Sequence, residues 1–360
     1  MNKNRLSFCK LSIGFVFIFL FLINGRQSFA YSNNLGSLGE EQASEKIELE
    51  KMRQELKELK ATTSEATEAF KKIDASPLKK GLQEFHLFCQ QANHEVMPGK
   101  TIECYTYNGL LPGPILRVKE GQLVRIIVHN QLATSTSFNM HGMALPESVN
   151  GFPNAESGLI KPKQTYVYQF VAKNVGTYWY HPQVIHADQK VKGMYGVFIV
   201  DPDGPPVRTV DQDIILVLSD IAIEKTQATA GASSKLIAAI AGAGKPTSTI
   251  YLVNGKTSPA IPGIEVQSNT RIRMRIINAG QHAVPLHLTG HKFELVSING
   301  NLVGEQTARD TITCGVSDRL DLEFNANNPG VWCLSSELIE QTTSSGQFPA
   351  GIICLMRYVN

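Results

Sequence analysis

The feature that most constrains this 360-residue chain is an internal repeat. Tyr107-Asn108-Gly109, followed by Pro112-Gly113-Pro114, is echoed by Val253-Asn254-Gly255, followed by Pro259 and Pro262-Gly263. Alternating apolar runs come next, at residues 124–128 and 272–276, each closed by an asparagine (Asn130, Asn278). Met140-His141-Gly142 then matches Leu286-His287-Leu288, and Gly176-Thr177-Tyr178-Trp179 matches Gly330-Val331-Trp332. Gly193-Met194-Tyr195-Gly196 opens the apolar run 197–200, as Gly351 opens 352–356. The offset stays at about 146 to 158 residues throughout. Apolar residues at period two, punctuated by Gly, Pro and Asn, are the mark of half-buried strands and tight turns. The sequence therefore predicts an all-β protein made of two tandem Greek-key β-sandwich domains. Their bounds are 81–203 and 212–360, joined by a Pro-rich linker, 204–211. An Ala/Gly-rich insertion at 229–246 is expected to carry a helical turn or two around residues 235–240.

The segment ahead of the sandwiches differs in kind. Lys3, Arg5 and Lys10 precede an apolar run at 11–23, and Ser28-Phe29-Ala30 supplies small residues at a cleavage position. The run is shorter than the ~20 residues a bilayer span needs. Residues 1–30 are thus expected to be a signal peptide, giving a periplasmic or secreted protein; an uncleaved anchor is the alternative. Residues 31–80 read as a helical extension. Within it Leu49, Met52, Leu56, Leu59, Thr63, Ala66, Phe70 and Ile73 alternate steps of three and four. That spacing fits either a short oligomerising coiled coil or one amphipathic helix.

Export permits disulfides, and five cysteines follow the leader: Cys89, Cys104, Cys314, Cys333 and Cys354. Cys89 and Cys104 flank an expected hairpin, and Cys333 and Cys354 fall on late strands, so these two pairings are the candidates. No spacing suggests a zinc site. With 34 Lys+Arg against 32 Asp+Glu, nucleic acid is not an expected partner. Nucleophile elbow, phosphate loop and Rossmann fingerprint are all missing; Gly242-Ala243-Gly244-Lys245 ends on Pro246 where Ser or Thr is required. The pairs Asp201/Asp203 and Asp211/Asp213 read as turn-formers. Arg271, Arg273 and Arg275 alternate on one strand and mark a solvated or interface face.

The motifs resemble a known family. Tyr107-Asn108-Gly109 with Met140-His141-Gly142, residues 176–181 and Gly193-Met194-Tyr195-Gly196 looks like the first domain of a multicopper oxidase. Residues 275–280, His287 to His291, Arg309-Asp310-Thr311 and Asn328-Pro329-Gly330-Val331-Trp332 look like the last. Two such domains in tandem resemble the two-domain laccases and copper nitrite reductases, and Glu337-Leu338-Ile339-Glu340 is similar to a late segment of the latter. The resemblance covers about residues 82–358 and implies cupredoxin-like sandwiches. It also implies a homotrimer with metal between domain 1 of one subunit and domain 2 of the next.

What the resemblance implies for chemistry is selective loss. A type-1 copper needs a Cys thiolate and two His. The matching positions hold Thr136, Pro182 and Gln189 in domain 1, and Val284, Ser336 and Gln341 in domain 2, so no type-1 copper is expected. The trinuclear cluster of the family uses four His-x-His pairs. Here those read Asn139-x-His141, His181-x-Gln183, His287-x-Thr289 and Ser335-x-Glu337, leaving three of eight His. His141 and His181 match two His ligands of a nitrite reductase mononuclear copper. Glu337 falls where the neighbouring subunit's third ligand would be, although Ser336 competes for that place. His287 matches a hydrogen-bonding His, and Asn139 replaces the catalytic Asp. His86, His94 and His129 read as structural or solvent-facing, while His186, His282 and His291 have no assigned role.

Two functions follow. In the first, the chain is a redox-incompetent binding or structural protein with an unidentified protein partner and no metal. In the second, it is an oxidoreductase with one copper, zinc, manganese or iron per inter-subunit site. His141, His181 and Glu337 would be its ligands, and Asn139 and His287 would orient a small anion or oxidant such as nitrite or a peroxide.

Overall fold

The computed structural model describes residues 81–145, 149, 159–183, 187–206, 208–224, 234–239, 247–304, 307–343 and 350–359. The expected signal peptide, the heptad segment 40–76 and His186 lie outside the described residues.

The first sandwich comprises β1 (Leu82–Met97), β2 (Lys100–Tyr107), β3 (Gly113–Lys119), β4 (Leu123–Asn130), β5 (Asn139–His141), β6 (Thr165–Val171) and β7 (Gly176–His181). A short helix, α1 (Ala187–Val191), then leads into β8 (Gly196–Asp201). The second comprises β9 (Gln212–Glu224), β10 (Ser234–Ala239), β11 (Thr247–Val253), β12 (Ile264–Gln267), β13 (Arg271–Asn278), β14 (Val284–Leu288) and β15 (Glu294–Ile298). It continues through β16 (Asn301–Leu302), β17 (Thr311–Cys314), β18 (Arg319–Asn325), β19 (Val331–Ser336), a 3-10 turn (Ile339–Gln341) and β20 (Ile353–Val359). One sheet of each sandwich is separate, with orders β3-β8-β7-β5 and β12-β20-β19-β14-β17. The other two fuse into a single sheet, β16-β15-β18-β13-β9-β10-β2-β1-β4-β6, with β11 also paired to β9.

The repeat read from the sequence is a repeat of hydrogen bonds. Asn108 and Asn254 both take positive φ, each followed by a positive-φ glycine, the left-handed geometry that Asn-Gly tolerates. Asn108 accepts from the Phe88 amide and donates to the His86 carbonyl. Asn254 does the same to Val217 and Ile215. Asn130 and Asn278 each tie down the loop that follows them, through Ile160 and Thr134 in one copy and Cys314 and His282 in the other. Two internal cores result, one around Tyr107, Phe138, Tyr168 and Tyr180, the other around Ile276, Leu286, Phe293 and Leu322. A third lies between the sandwiches and joins Trp179, Val197 and Ile199 to Val217, Ile221 and Ile277.

Three expectations are corrected. The insertion holds a strand where helical turns were expected: β10 pairs in parallel with β2 and antiparallel with β9. Exposed sheet edges offer its backbone more partners than the local helix propensity of Lys-Leu-Ile-Ala-Ala can offset. The aspartates beside the linker are ion-pair nodes as well as turn residues. Arg117 bonds both Asp201 and Asp213, and Arg275 reaches Asp213 and the Thr177 hydroxyl. Of the three arginines, Arg275 accordingly lies at an interface between the sandwiches, while Arg271 and Arg273 pair with Glu323 within the second. Finally, the five cysteines among the described residues are all free. Cys89 stands opposite Tyr107 and Cys104 opposite Ala92, so the odd separation puts their side chains on opposite faces of the sheet. Cys354 pairs with Leu334, and Cys333 with Leu355, which separates that couple in the same way. A disulfide cannot cross a sheet. Alkylation in denaturant without reductant should therefore modify all five of these cysteines, and peptide mapping that finds either pair linked would refute this reading.

Candidate metal site

Strand pairing builds the site. In the β5–β7 ladder Asn139 faces His181, Met140 faces Tyr180 and His141 faces Trp179. Because side chains alternate, Met140 and Tyr180 enter the core while Asn139, His141, Trp179 and His181 share the opposite face. His141 Nδ1 lies 3.0 Å from His181 Nε2. The Trp179 indole packs on both rings, with centroids 4.9 Å from His141 and 4.2 Å from His181.

The tautomers follow from the partners. His181 Nδ1–H donates to the Pro182 carbonyl at 2.6 Å, leaving Nε2 as an acceptor for His141 Nδ1–H. The free lone pair is then His141 Nε2. Burial pushes the His141 pKa down to about 4, helped by the charges of Arg319 and Lys190. Burial also pushes His181 down to about 3, with His141 and Lys190 adding and the Pro182 hydrogen bond opposing. Both imidazoles are therefore neutral at pH 7, the form that ligates metals.

Linkage gives this a direction. Both groups bind protons less readily folded than unfolded, so their contribution to stability is full above about pH 6.5. It is lost as pH falls through the window between that value and about 4 to 3. Thermal unfolding of metal-free protein should show the melting temperature declining from pH 6.5 to 4, with a smaller decline in His181→Phe. A flat profile would remove the assignment.

In the second sandwich, His287 Nδ1 and Glu337 Oε1 are 3.1 Å apart, with side chains 32% and 51% exposed. The β14–β19 ladder sets His287 opposite Ser335, and the Glu337 amide donates to Pro285. The five sequence candidates thus fall into two groups, Asn139/His141/His181 and His287/Glu337. No group of three His, Cys, Asp or Glu suited to one cation forms among the described residues of a single chain.

The positions matched to type-1 ligands carry a different constellation. Thr136 donates to Gln189 Oε1 at 2.6 Å, and Gln189 donates to the Ser135 carbonyl. In the other copy Ser336 donates to Gln341 Oε1 at 2.6 Å, and Gln341 donates to the Ala283 carbonyl. All four side chains are buried. The remaining described His are structurally employed. His86 and His129 stack on Phe88 and on each other, His94 bonds Gly255, His282 pairs with Asp220, and His291 lies between Thr289 and Tyr358.

Family models described as multicopper oxidase match residues 89–205 and 230–347. The chain belongs to the multicopper oxidase family. Copper resistance protein A of Escherichia coli is 41% identical over 123 residues, which cover 34% of this chain and 20% of that protein. The multicopper oxidase MmcO of Mycobacterium tuberculosis is 27% identical over 256 residues, covering 63% of this chain and 49% of that protein. The chain thus spans about a fifth to a half of these relatives. The blue copper oxidase of Nitrosomonas europaea superposes with a TM-score of 0.68 at 27% identity, over 78% of this chain and 86% of that one. Within the family the fold is a tandem of cupredoxin sandwiches, and the family's metal is copper.

The histidine pair fits such a cation. Two nitrogens about 2.1 Å from one metal, at about 90°, are about 3.0 Å apart, as are His141 Nδ1 and His181 Nε2. Ligation requires that the His141 proton move to Nε2 and that the two rings turn so that their lone pairs meet off the line joining them. Trp179, Lys190 and Arg319 were not legible as site residues. Trp179 alone carried a signal, its two-residue offset from His181.

Proposed function

We propose that this protein is an exported, copper-binding member of the family that holds a single copper and lacks the laccase reaction. His141 and His181 bind the ion, and Glu337 of an adjacent copy completes the site, with Asn139 and His287 alongside. The observation that carries this reading is the buried, neutral histidine pair at 3.0 Å. The absence of an electron relay is supported by the buried Thr136–Gln189 and Ser336–Gln341 hydrogen bonds at the type-1 positions, and by Pro182, which has no donor for copper. A ligand-free structural role is the second reading, favoured by the direct hydrogen bond between the two rings.

The homotrimer is part of the proposal. Thr177, Trp179, Val197 and Ile199 of the first sandwich are covered by the second. Their counterparts in the repeat by strand pairing, Val331, Cys333, Leu355 and Arg357, are half-buried or exposed, Val331 at 63% exposure. A head-to-tail contact with a further copy covers that face, and rotation closes such contacts into a ring. His287 and Glu337 then lie at the junction.

Copper loading followed by elemental analysis should give about one copper per chain, and light scattering a mass of three chains. Copper-free protein after loading would leave only the structural reading, and a mass of one chain would remove the shared site.

A further inference from the structure

We infer that Arg319 is a positioning residue for the metal site, holding the His141–Gly142 turn from the opposite sandwich. The inference rests on the metal reading above and names a residue that neither motif nor repeat brings to it.

Arg319 opens β18 and is 4% exposed. Its backbone is fixed on both sides: the Arg319 amide donates to Asn299 Oδ1 at 3.0 Å, and the Asn299 amide donates to the Arg319 carbonyl at 2.7 Å. The side chain crosses into the first sandwich. There Nη1–H donates to the His141 carbonyl at 3.1 Å, and the guanidinium lies 5.5 Å from the centre of the Tyr178 ring. Gly142 has φ +82°, and a Cβ at that position would fall on the guanidinium. The turn has therefore been shaped to admit this cation.

The arrangement is costly for a purely structural tie. No carboxylate lies within 4.0 Å of the guanidinium among the described residues, and its Nε has no hydrogen-bond partner. Asp318 and Asp321 act on this cation only at longer range, so a buried guanidinium whose direct contacts are one carbonyl and one aromatic face regains little of its hydration energy. By contrast Arg275, also buried between the sandwiches, has Asp213 at 2.8 Å. What Arg319 does fix is the peptide that carries His141. The orientation of that carbonyl sets where the β5 backbone ends, and hence where Nδ1 stands relative to His181. Groups that orient a ligand in this way are worth about 10- to 100-fold in metal affinity.

The test uses the full chain with Arg319→Met and Arg319→Lys, thermal unfolding confirming that each folds. Copper affinity is measured by competition with a chelator, and the site is read by the electron paramagnetic resonance hyperfine splitting of bound Cu(II). Met should weaken copper by about tenfold or more and change the splitting, while Lys, which keeps a donor, should restore most of both. Unchanged affinity and splitting in Arg319→Met would overturn the inference while leaving the metal site intact. Failure of the unsubstituted protein to bind copper would remove both together. Loss of folding in both variants would assign Arg319 to sandwich assembly and overturn the positioning role.

Discussion

Replacing His141 and His181 together by alanine should reduce copper from about one ion per chain to background, without unfolding the protein. The two side chains supply the only pair of ring nitrogens on the β5–β7 face, and the inward residues of the same strands, Met140 and Tyr180, remain to hold the core. Trp179 provides an internal reporter, because it packs on both imidazoles and the chain has only one other tryptophan, Trp332. In a Trp332→Phe background, Cu(II) should quench the Trp179 emission strongly, and the double alanine variant should abolish the quenching. The loaded protein should also lack the intense band near about 600 nm that a cupric–thiolate bond produces. Burial pushes the Cys89, Cys104 and Cys314 thiols above their ordinary pKa, which is the direction this prediction needs. Copper retained in the double variant would place the ion elsewhere, and a strong blue colour would restore an electron relay.

The sandwich fold was legible because period-two alternation and Asn-Gly turns act locally. Asn108 and Asn254 each fix a turn through their own side chain, so the same dipeptide gives the same geometry twice. The face shared by His141 and His181 was legible for the same reason, since parity along β5 and β7 decides it. The strand β10 was not, because most of its pairing is with β2, far off in sequence, and its own residues favour helix. Cysteine pairing failed on parity: proximity along a hairpin was read, but not which side of the sheet each thiol takes. Arg319 was invisible because its meaning comes from a contact with His141, 178 residues away. The ion pairs of Asp201 and Asp213 escaped in the same manner, their partner Arg117 lying 84 and 96 residues away.

The largest stability loss is expected at Glu323, which no motif singled out. Its side chain is fully buried in the middle of β18, and both carboxylate oxygens are engaged. Oε1 accepts from Arg273 through Nε at 2.9 Å and Nη2 at 2.6 Å, and Oε2 accepts from Arg271 Nε at 3.1 Å. Arg208 approaches Oε2 at 3.5 Å. Removing Glu323 takes the ion-pair partner from Arg273 and leaves Arg271 and Arg208 only the half-exposed Glu294, with the cavity of a buried carboxylate between them. Breaking a buried pair from one side costs about 3–5 kcal/mol, which in a body of this size lowers the melting temperature by about 10 °C. Glu323→Ala should show that shift by calorimetry, and Glu323→Gln nearly as much, because the missing element is charge. Since Glu323 itself is buried, salt should change the difference less than it would for a surface pair. The complementary variant separates pairing from packing: Glu323→Leu combined with Arg271→Met and Arg273→Met removes the charges together and should recover most of the loss. If Glu323→Ala melts within about 2 °C of the parent, the network is dispensable, and the cohesion of β13 with β18 must come from Met274, Ile276, Leu320 and Leu322 alone.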